Sequence, residues 1–303
     1  MEHFISIADL TREQWTELLA LAQRLKRELK ETGRNEPVLQ GQVLGMIFQK
    51  PSLRTRISFD VGALQLGGHA LYISPNEIKM GQRESVADVA RVVSRYVNGI
   101  MARVFDHDHI LQLAEHASVP VINGLSDYNH PCQGLADYLT MLEAWGSFEG
   151  RTLAYLGDGN NVLTSLINGA VPSGVRVRVA TPPGYEPDQS VVDAARERGA
   201  TIEVSHDPEA AVEGADAIYT DVWTSMGQEA ETQKRLAVFP PFQVNEALVA
   251  RAQREAIVLH CLPAHRGEEI TDGVADGPHS RLWDQAENRL HAQKALLVTL
   301  MGR

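Results

Sequence analysis

A run of hydroxyl and guanidinium side chains, Ser52-Leu53-Arg54-Thr55-Arg56, follows directly on an apolar stretch, Val43 to Phe48. The apolar stretch reads as a buried strand. Lys50 and Pro51 interrupt it, and helical spacing takes over from Ile57 to Leu66. The turn therefore hands a strand over to a helix. The first N–H groups of a helix have no partner within it, and the aligned peptide dipoles place partial positive charge there. With Arg54 and the hydroxyls of Ser52 and Thr55 added, the segment is a candidate phosphate cradle. Arg56 differs: it lies four residues before Asp60, so an ion pair along the helix explains it as well as a ligand does.

Other chemically competent groups are spaced along the chain. Arg103 ends an apolar run, Gly99 to Val104, and is a candidate second clamp for a phosphate or a carbonyl. His130-Pro131-Cys132-Gln133 joins a loop to a helix start; His130 can donate to a carbonyl oxygen, and Gln133 can both donate and accept. Gly157-Asp158-Gly159-Asn160-Asn161 follows a strand and opens a helix, the setting of a dinucleotide fingerprint. Val162 stands where that fingerprint needs a third glycine, and the next strand ends Val179-Ala180-Thr181 without an acid for a ribose. The better reading is a glycine turn presenting Asn161 to a polar ligand. Asp221 ends a strand, where its carboxylate suits a ligand ammonium; the polar run from Ser225 to Gln233 reads as a lid with Gly227 as its compliant point. Arg289 alone reads as a solvated helix arginine.

His130, Cys132, His260, Cys261 and His265 invite a zinc reading. Successive strand residues face opposite sides, so His260 and Cys261 are not expected to share an ion, and no C-x-x-C pair is present. The same geometry opposes a Cys–His nucleophile pair. No metal or cofactor is expected.

Those groups must be positioned by a chain of 303 residues with 44% hydrophobic content, enough for two packed α/β domains. Net charge is −11, which argues against nucleic acid as a partner and means that an anionic substrate must be held by local positive charge. No apolar run approaches the roughly 20 residues that span a bilayer, and no basic-then-apolar start suggests a secretory signal. Two cysteines fit a reducing cytosol, so a cytoplasmic location is expected.

An opening helix is marked by capping-box spacing at Thr11 and Gln14 and by an apolar stripe through Trp15, Leu18, Leu19, Ala22, Leu25 and Leu29. Strands are expected at 43–48, 69–74, 99–104 and 119–122, then at 152–156, 175–180, 201–204, 217–222 and 257–262. Helices are expected between them at 52–66, 84–97, 107–117, 131–145, 161–171, 189–198, 208–213 and 245–254, with a last one at 283–301. The alternation predicts α/β architecture with two doubly wound parallel-sheet domains, with a hinge expected at Gly146-Ser147-Phe148-Glu149-Gly150. Every motif above falls at the carboxyl end of a strand, where open parallel sheets bind ligands.

Ser52-Leu53-Arg54-Thr55-Arg56, His130-Pro131-Cys132-Gln133, Asp221 to Gly227 and His260-Cys261-Leu262-Pro263 have the order and spacing found in the aspartate/ornithine carbamoyltransferase family. The chain resembles the ornithine branch of that family from end to end. The resemblance implies a homotrimer with sites at subunit interfaces and two small-molecule substrates, carbamoyl phosphate and L-ornithine. It also implies that the two domains are joined by interdomain helices, the C-terminal one included, with expected extents of 1–146 with 283–303, and 147–282. It implies phosphate contacts from Ser52, Leu53, Arg54, Thr55 and Arg103, and carbamoyl contacts from Arg103, His130, Gln133, Cys261, Leu262 and Arg289. Ornithine would be held by Asn161, Asp221, Ser225 and Met226. The reaction implied is attack of the δ-amine of L-ornithine on carbamoyl phosphate, giving L-citrulline and phosphate. Cys261, coupled to Asp221, is the candidate proton acceptor, and Arg54, Arg103 and His130 are the charge stabilisers. A related transfer to another amine, such as putrescine, is the nearest alternative. Two positions depart from the family pattern. Leu53 replaces a usual threonine, and Lys79 stands where many relatives carry a glutamine that reaches a neighbouring subunit's phosphate.

Overall fold

The structure is a computed structural model that describes residues 1–225 and 227–302. The chain divides into two compact units, Met1–Leu139 with Glu287–Arg303, and Thr140–Ala286. It passes from one to the other within helix α6 (Pro131–Trp145) and again within α13 (Leu282–Met301).

The first unit opens with α1 (Arg12–Thr32), where the Thr11 and Gln14 side chains cap each other's backbone N–H groups and Gly33 ends the helix at φ 75°. The buried stripe includes Trp15, whose ring meets that of Tyr138 edge-on at 5.1 Å. Four strands follow: β1 (Val43–Phe48), β2 (His69–Ile73), β3 (Gly99–Arg103) and β4 (Val121–Leu125). They form a parallel sheet in the order β2-β1-β3-β4. Connecting them are α2 (Leu53–Gln65), a short α3 (Pro75–Ile78), α4 (Val86–Val93) and α5 (His107–His116). Because β1 is followed by β2 on one side and flanked by β3 on the other, the strand order reverses between β1 and β3. Phe48 pairs with Arg103 there, so the Ser52 turn and Arg103 occupy the same switch point.

In the second unit, β5 (Thr152–Leu156), β6 (Arg176–Ala180), β7 (Ile202–Ser205), β8 (Ala217–Thr220) and β9 (Ile257–His260) form a parallel sheet in the order β7-β6-β5-β8-β9. Its helices are α7 (Asn161–Ser173), α8 (Gln189–Glu197), α9 (Pro208–Val212), α10 (Thr232–Val238), α11 (Glu246–Val249) and α12 (Asp272–Ala275). Here the reversal lies between β5 and β8, where Leu156 pairs with Thr220. The Gly157 turn and Asp221 follow those two residues directly.

The expected alternation is present, with local differences. Residues 245–254 are not one helix: α11 stops at Val249 because the backbone of 251–253 bonds to the loop before β8. Gly214 N–H donates to the Arg251 carbonyl, and Gln253 N–H donates to that of Ala215. The polar run 225–233 is not simply a loop: a 3-10 turn covers Glu229–Glu231 and α10 begins at Thr232. β9 ends at His260, two residues early, because the Leu262 N–H turns back to the His260 ring.

Gly159 illustrates how tightly the second sheet's ligand-facing end is built. Its N–H donates to the Tyr185 carbonyl at 2.8 Å, and a Cβ at this position would overlap the Glu186 carbonyl and the Pro187 nitrogen. Gly159→Ala is therefore expected to lower the denaturant midpoint by the equivalent of about 1–3 kcal/mol, as overpacking against backbone does. An unchanged midpoint would mean that the 185–187 segment shifts freely.

Candidate functional site

In the first unit the sequence-predicted residues gather at the β1/β3 switch point. Ser52 is the N-cap of α2; its Oγ accepts the Thr55 N–H and donates to Thr55 Oγ1 at 3.1 Å. Leu53, the first helical residue, exposes its side chain, so only its backbone faces the cap. Thr55 is fully buried, and two arginines converge on its hydroxyl. Arg103 Nη1 lies at 3.5 Å, and Arg289 Nη2, reaching from α13, lies at 3.2 Å. Arg289 is 4% exposed, far from the solvated arginine that its sequence context suggests. Its Nη1 donates to Gln133 Oε1 at 2.7 Å, and Gln133 Nε2 donates to the buried Asp137 at 2.7 Å. The Arg54 guanidinium, half-buried, makes no hydrogen bond or ion pair among the described residues.

Electrostatics here follow from burial and like charge. His130 is held well below the usual imidazole range, first by burial and then by Arg289 and Arg103, so it is a neutral imidazole. Burial pushes the Cys132 thiol up to about 12; it donates to the Asn123 carbonyl and is no nucleophile. Lys50, which the sequence marks only as a strand terminator, is buried with its Nζ 4.4 Å from the Phe105 ring centroid. Burial depresses its pKa, with Arg103 adding to the effect. Lys79 is exposed, adopts φ 48° at the end of α3, and lines a cavity of about 420 Å³ with Gln49, Ser74 and His109.

Arg56 does not pair with Asp60. Its guanidinium lies 4.3 Å from the centroid of Tyr72, on the neighbouring edge strand, which offers a ring face where the helix offers only an exposed carboxylate.

The second unit collects acids and a thiol at the β5/β8 switch point. Cys261 Sγ donates to Asp221 Oδ1 at 2.9 Å, and Asp221 Oδ1 also accepts the Val222 N–H. Asn160 caps α7 by accepting the Val162 and Leu163 N–H groups, while its Nδ2 donates to Asp221 Oδ2 at 2.7 Å. Asn161 is the first residue of α7, half-exposed beside it. Ser225 N–H donates to Gln228 Oε1. Met226 lies outside the described residues.

His260 and Cys261 require a correction. Strand alternation does not keep them apart, because β9 ends at His260, and ligand atoms of Asp221, His260 and Cys261 lie within 4.8 Å of one another. Chemistry, not strand geometry, is what disfavours an ion. His260 Nδ1 accepts the Leu262 N–H at 2.8 Å, so its Nε2–H donates to Glu269 Oε1 at 2.9 Å, and neither nitrogen is left for a metal. The same hydrogen bond holds Leu262 at φ 59°, a left-handed conformation that costs about 1–2 kcal/mol without such support.

Three residues of the site escape a reading of the sequence. Asn160 contacts Asp221; its position before an apolar-periodic helix is an N-cap signal. Arg235 on α10 is 4% exposed, bonds Asp158 at 3.0 Å and the Trp223 carbonyl at 2.8 Å, and packs 4.8 Å from the Tyr185 centroid. Glu269, fully buried, orients His260. Nothing in the local sequence distinguishes Arg235 or Glu269 from surface charges.

Residues 2–143 match the family described as aspartate/ornithine carbamoyltransferase, carbamoyl-P binding domain, and residues 149–300 match its Asp/Orn binding domain. The chain belongs to the aspartate/ornithine carbamoyltransferase family. It is similar to an ornithine carbamoyltransferase of Thermococcus kodakarensis, 55% identical over 98% of this chain and 96% of that protein. It resembles one of Anoxybacillus flavithermus at 53% identity over 98% and 96%. Among solved structures, the Pyrococcus furiosus ornithine carbamoyltransferase superposes with a TM-score of 0.95 at 52% identity, covering 99% of this chain and 97% of that one. The candidate ligand residues of this family member cluster at strand-order reversals, one in each sheet, as the general rule for open α/β sheets requires.

Asp158 supplies a pH test of this architecture. Burial raises its pKa to about 6, with Arg235 opposing. Between about pH 4 and 6 the folded chain then binds a proton that the unfolded chain has released, so this residue's contribution to stability falls as pH rises through that window. Asp158→Asn is expected to gain stability relative to the parent from pH 4 to 6 and to level off above. Parallel stability profiles in thermal melts would refute the assignment.

Proposed function

We propose that this chain transfers the carbamoyl group of carbamoyl phosphate to the δ-amine of L-ornithine, giving L-citrulline and phosphate. The observation that carries this reading is the convergence of two buried guanidiniums on Thr55 beside a neutral buried imidazole. An arrangement of that kind suits a phosphate dianion with a carbonyl attached. Ser52 to Thr55 and Arg103 hold the phosphate, while Arg103, His130, Gln133 and Arg289 hold the carbamoyl group. Fixed donors aimed at the carbonyl oxygen and the leaving phosphate stabilise the charge that develops during transfer, and this lowers the barrier more than any other single effect in such a reaction.

The amine side belongs to Asn161, Asp221, Ser225 and Met226, with Cys261 and Leu262 as further carbamoyl contacts. Ornithine's δ-ammonium must lose a proton before attack, since its pKa is near that of lysine, roughly 10. The Cys261–Asp221 pair is the acceptor in this reading, supported by their 2.9 Å contact. Asp221 also answers the α-ammonium of ornithine. No metal or cofactor takes part. The carbamoyl-phosphate half comprises 1–146 with 283–303, and the amine half comprises 147–282.

The working assembly is a homotrimer. Leu53, Ile57 and Leu64 expose apolar side chains along α2, and Leu71 does so on the free edge strand β2, an apolar edge suited to self-association. Lys79 in this assembly reaches the phosphate of a neighbouring subunit. A cytoplasmic location and a role in arginine biosynthesis complete the reading. Both cysteines are free thiols, no described helix is long and apolar enough to cross a membrane, and the similar Pyrococcus furiosus protein is named anabolic.

Citrulline formation from carbamoyl phosphate and a panel of amines tests the reaction, with ornithine expected to exceed putrescine by orders of magnitude. Arg54→Ala should lower turnover about a hundredfold or more at saturating carbamoyl phosphate, as loss of a charge-stabilising donor does, while remaining folded. Asp221→Asn should weaken ornithine use far more than carbamoyl-phosphate binding; equal losses would assign it to the fold or the chemistry instead.

Lys79→Ala and Arg54→Ala chains, unfolded and reassembled together, should regain activity if sites are shared across subunits. Mixed trimers without regained activity, or a fully active Lys79→Ala, would remove Lys79 from the site.

A further inference from the structure

Helix α13 carries another buried polar residue, Gln293, one turn beyond Arg289. Gln293 is fully buried, with Ala292, Leu296 and Leu297 beside it on the same helix, all buried as well. A buried amide in such company is costly unless both its ends are bonded. Both are. Gln293 Oε1 accepts the Arg289 Nε–H at 3.1 Å, and Gln293 Nε2 donates to Ser58 Oγ at 2.7 Å. Ser58 Oγ in turn donates to the carbonyl of Arg54 at 2.7 Å. One side chain thus links Arg289, on α13, to the first turn of α2, from which Arg54 and Thr55 project.

We infer that Gln293 is a positioning residue for carbamoyl-phosphate binding, acting through Arg289 and Ser58. The inference rests on the reading of Arg54 and Arg289 as ligands of that substrate. A guanidinium is a planar fork whose usefulness depends on its rotation about the long side-chain axis. Arg289 is fixed at three points around that plane: Nε by Gln293, Nη1 by Gln133 and Nη2 by Thr55. Gln133 and Thr55 are themselves substrate contacts in the proposed function. Gln293 is not among those contacts, so its bond to Nε holds the fork without competing for substrate. Its other end ties the same amide to the backbone of Arg54. The two arginines are thereby linked through neutral groups.

The test uses the intact enzyme and three variants: Gln293→Met, which keeps length and removes both hydrogen bonds, Ser58→Ala, which removes one hydroxyl, and the double variant. Gln293→Met is expected to raise KM for carbamoyl phosphate about tenfold, equivalent to about 1.4 kcal/mol. KM for ornithine, measured at saturating carbamoyl phosphate, is expected to stay put. Ser58→Ala should raise KM for carbamoyl phosphate by less, and the double variant should be no worse than Gln293→Met alone, because both lie on one chain of bonds. A merely structural role would lower the melting temperature and leave both KM values in place, or would move both together; either result overturns the inference. Strict additivity in the double variant would overturn the shared chain. Should Gln293→Met fail to fold, Ser58→Ala decides, with an unchanged KM for carbamoyl phosphate counting against the proposal. If the parent enzyme itself makes no citrulline, the proposed function fails instead.

Discussion

Two cations held against one hydroxyl govern the first unit. Arg103 and Arg289 both donate to Thr55, and all three residues are less than one-tenth exposed. Taking a charge out of water costs several kcal/mol, and like charges at close range add to it. The chain answers with neutral or distant groups. Gln133, Gln293 and Thr55 orient the guanidiniums, and Asp137 is linked to Arg289 through the Gln133 amide. His130 is held neutral by burial first and by the two guanidiniums second. What remains is a cluster of buried positive charge in a chain whose net charge is −11.

The second unit solves the opposite problem. Asp158 and Asp221, both buried, lie at the ends of neighbouring strands with Cys261 against the latter. Arg235 neutralises Asp158 and ties α10 to the Gly157 turn, leaving Asp221 with neutral donors: Asn160, Cys261 and a backbone N–H. One carboxylate thus has a charged partner within the fold, and the other has neutral ones.

How far these features are legible in the sequence depends on the range of the interaction that creates them. β1 and β5 are readable to the residue, because a buried parallel strand is a continuous apolar run with a breaker at its end. The Thr11 capping box and the Ser52 turn are readable because caps act over three residues. The end of α11 is not, since its backbone is claimed by a loop thirty and more residues earlier in the chain. Arg289 reads as solvated for the same reason: its partners, Thr55 and Gln133, are far away in sequence. Glu269 and Arg235 carry no local mark at all. Strand alternation disfavours a zinc site at His260 and Cys261 only if the strand continues through them, and it stops one residue short.

The missing side chain of Gly159 accommodates the 185–187 backbone. Substitution there is resisted by sterics regardless of what the loop binds. A G-x-G pair after a strand would therefore persist through sequence drift and keep resembling a nucleotide signature it does not serve. Anyone redesigning this loop toward a dinucleotide would gain little from a third glycine at position 162. Any such redesign would first have to move the 185–187 segment, whose backbone fills the space beside Gly159.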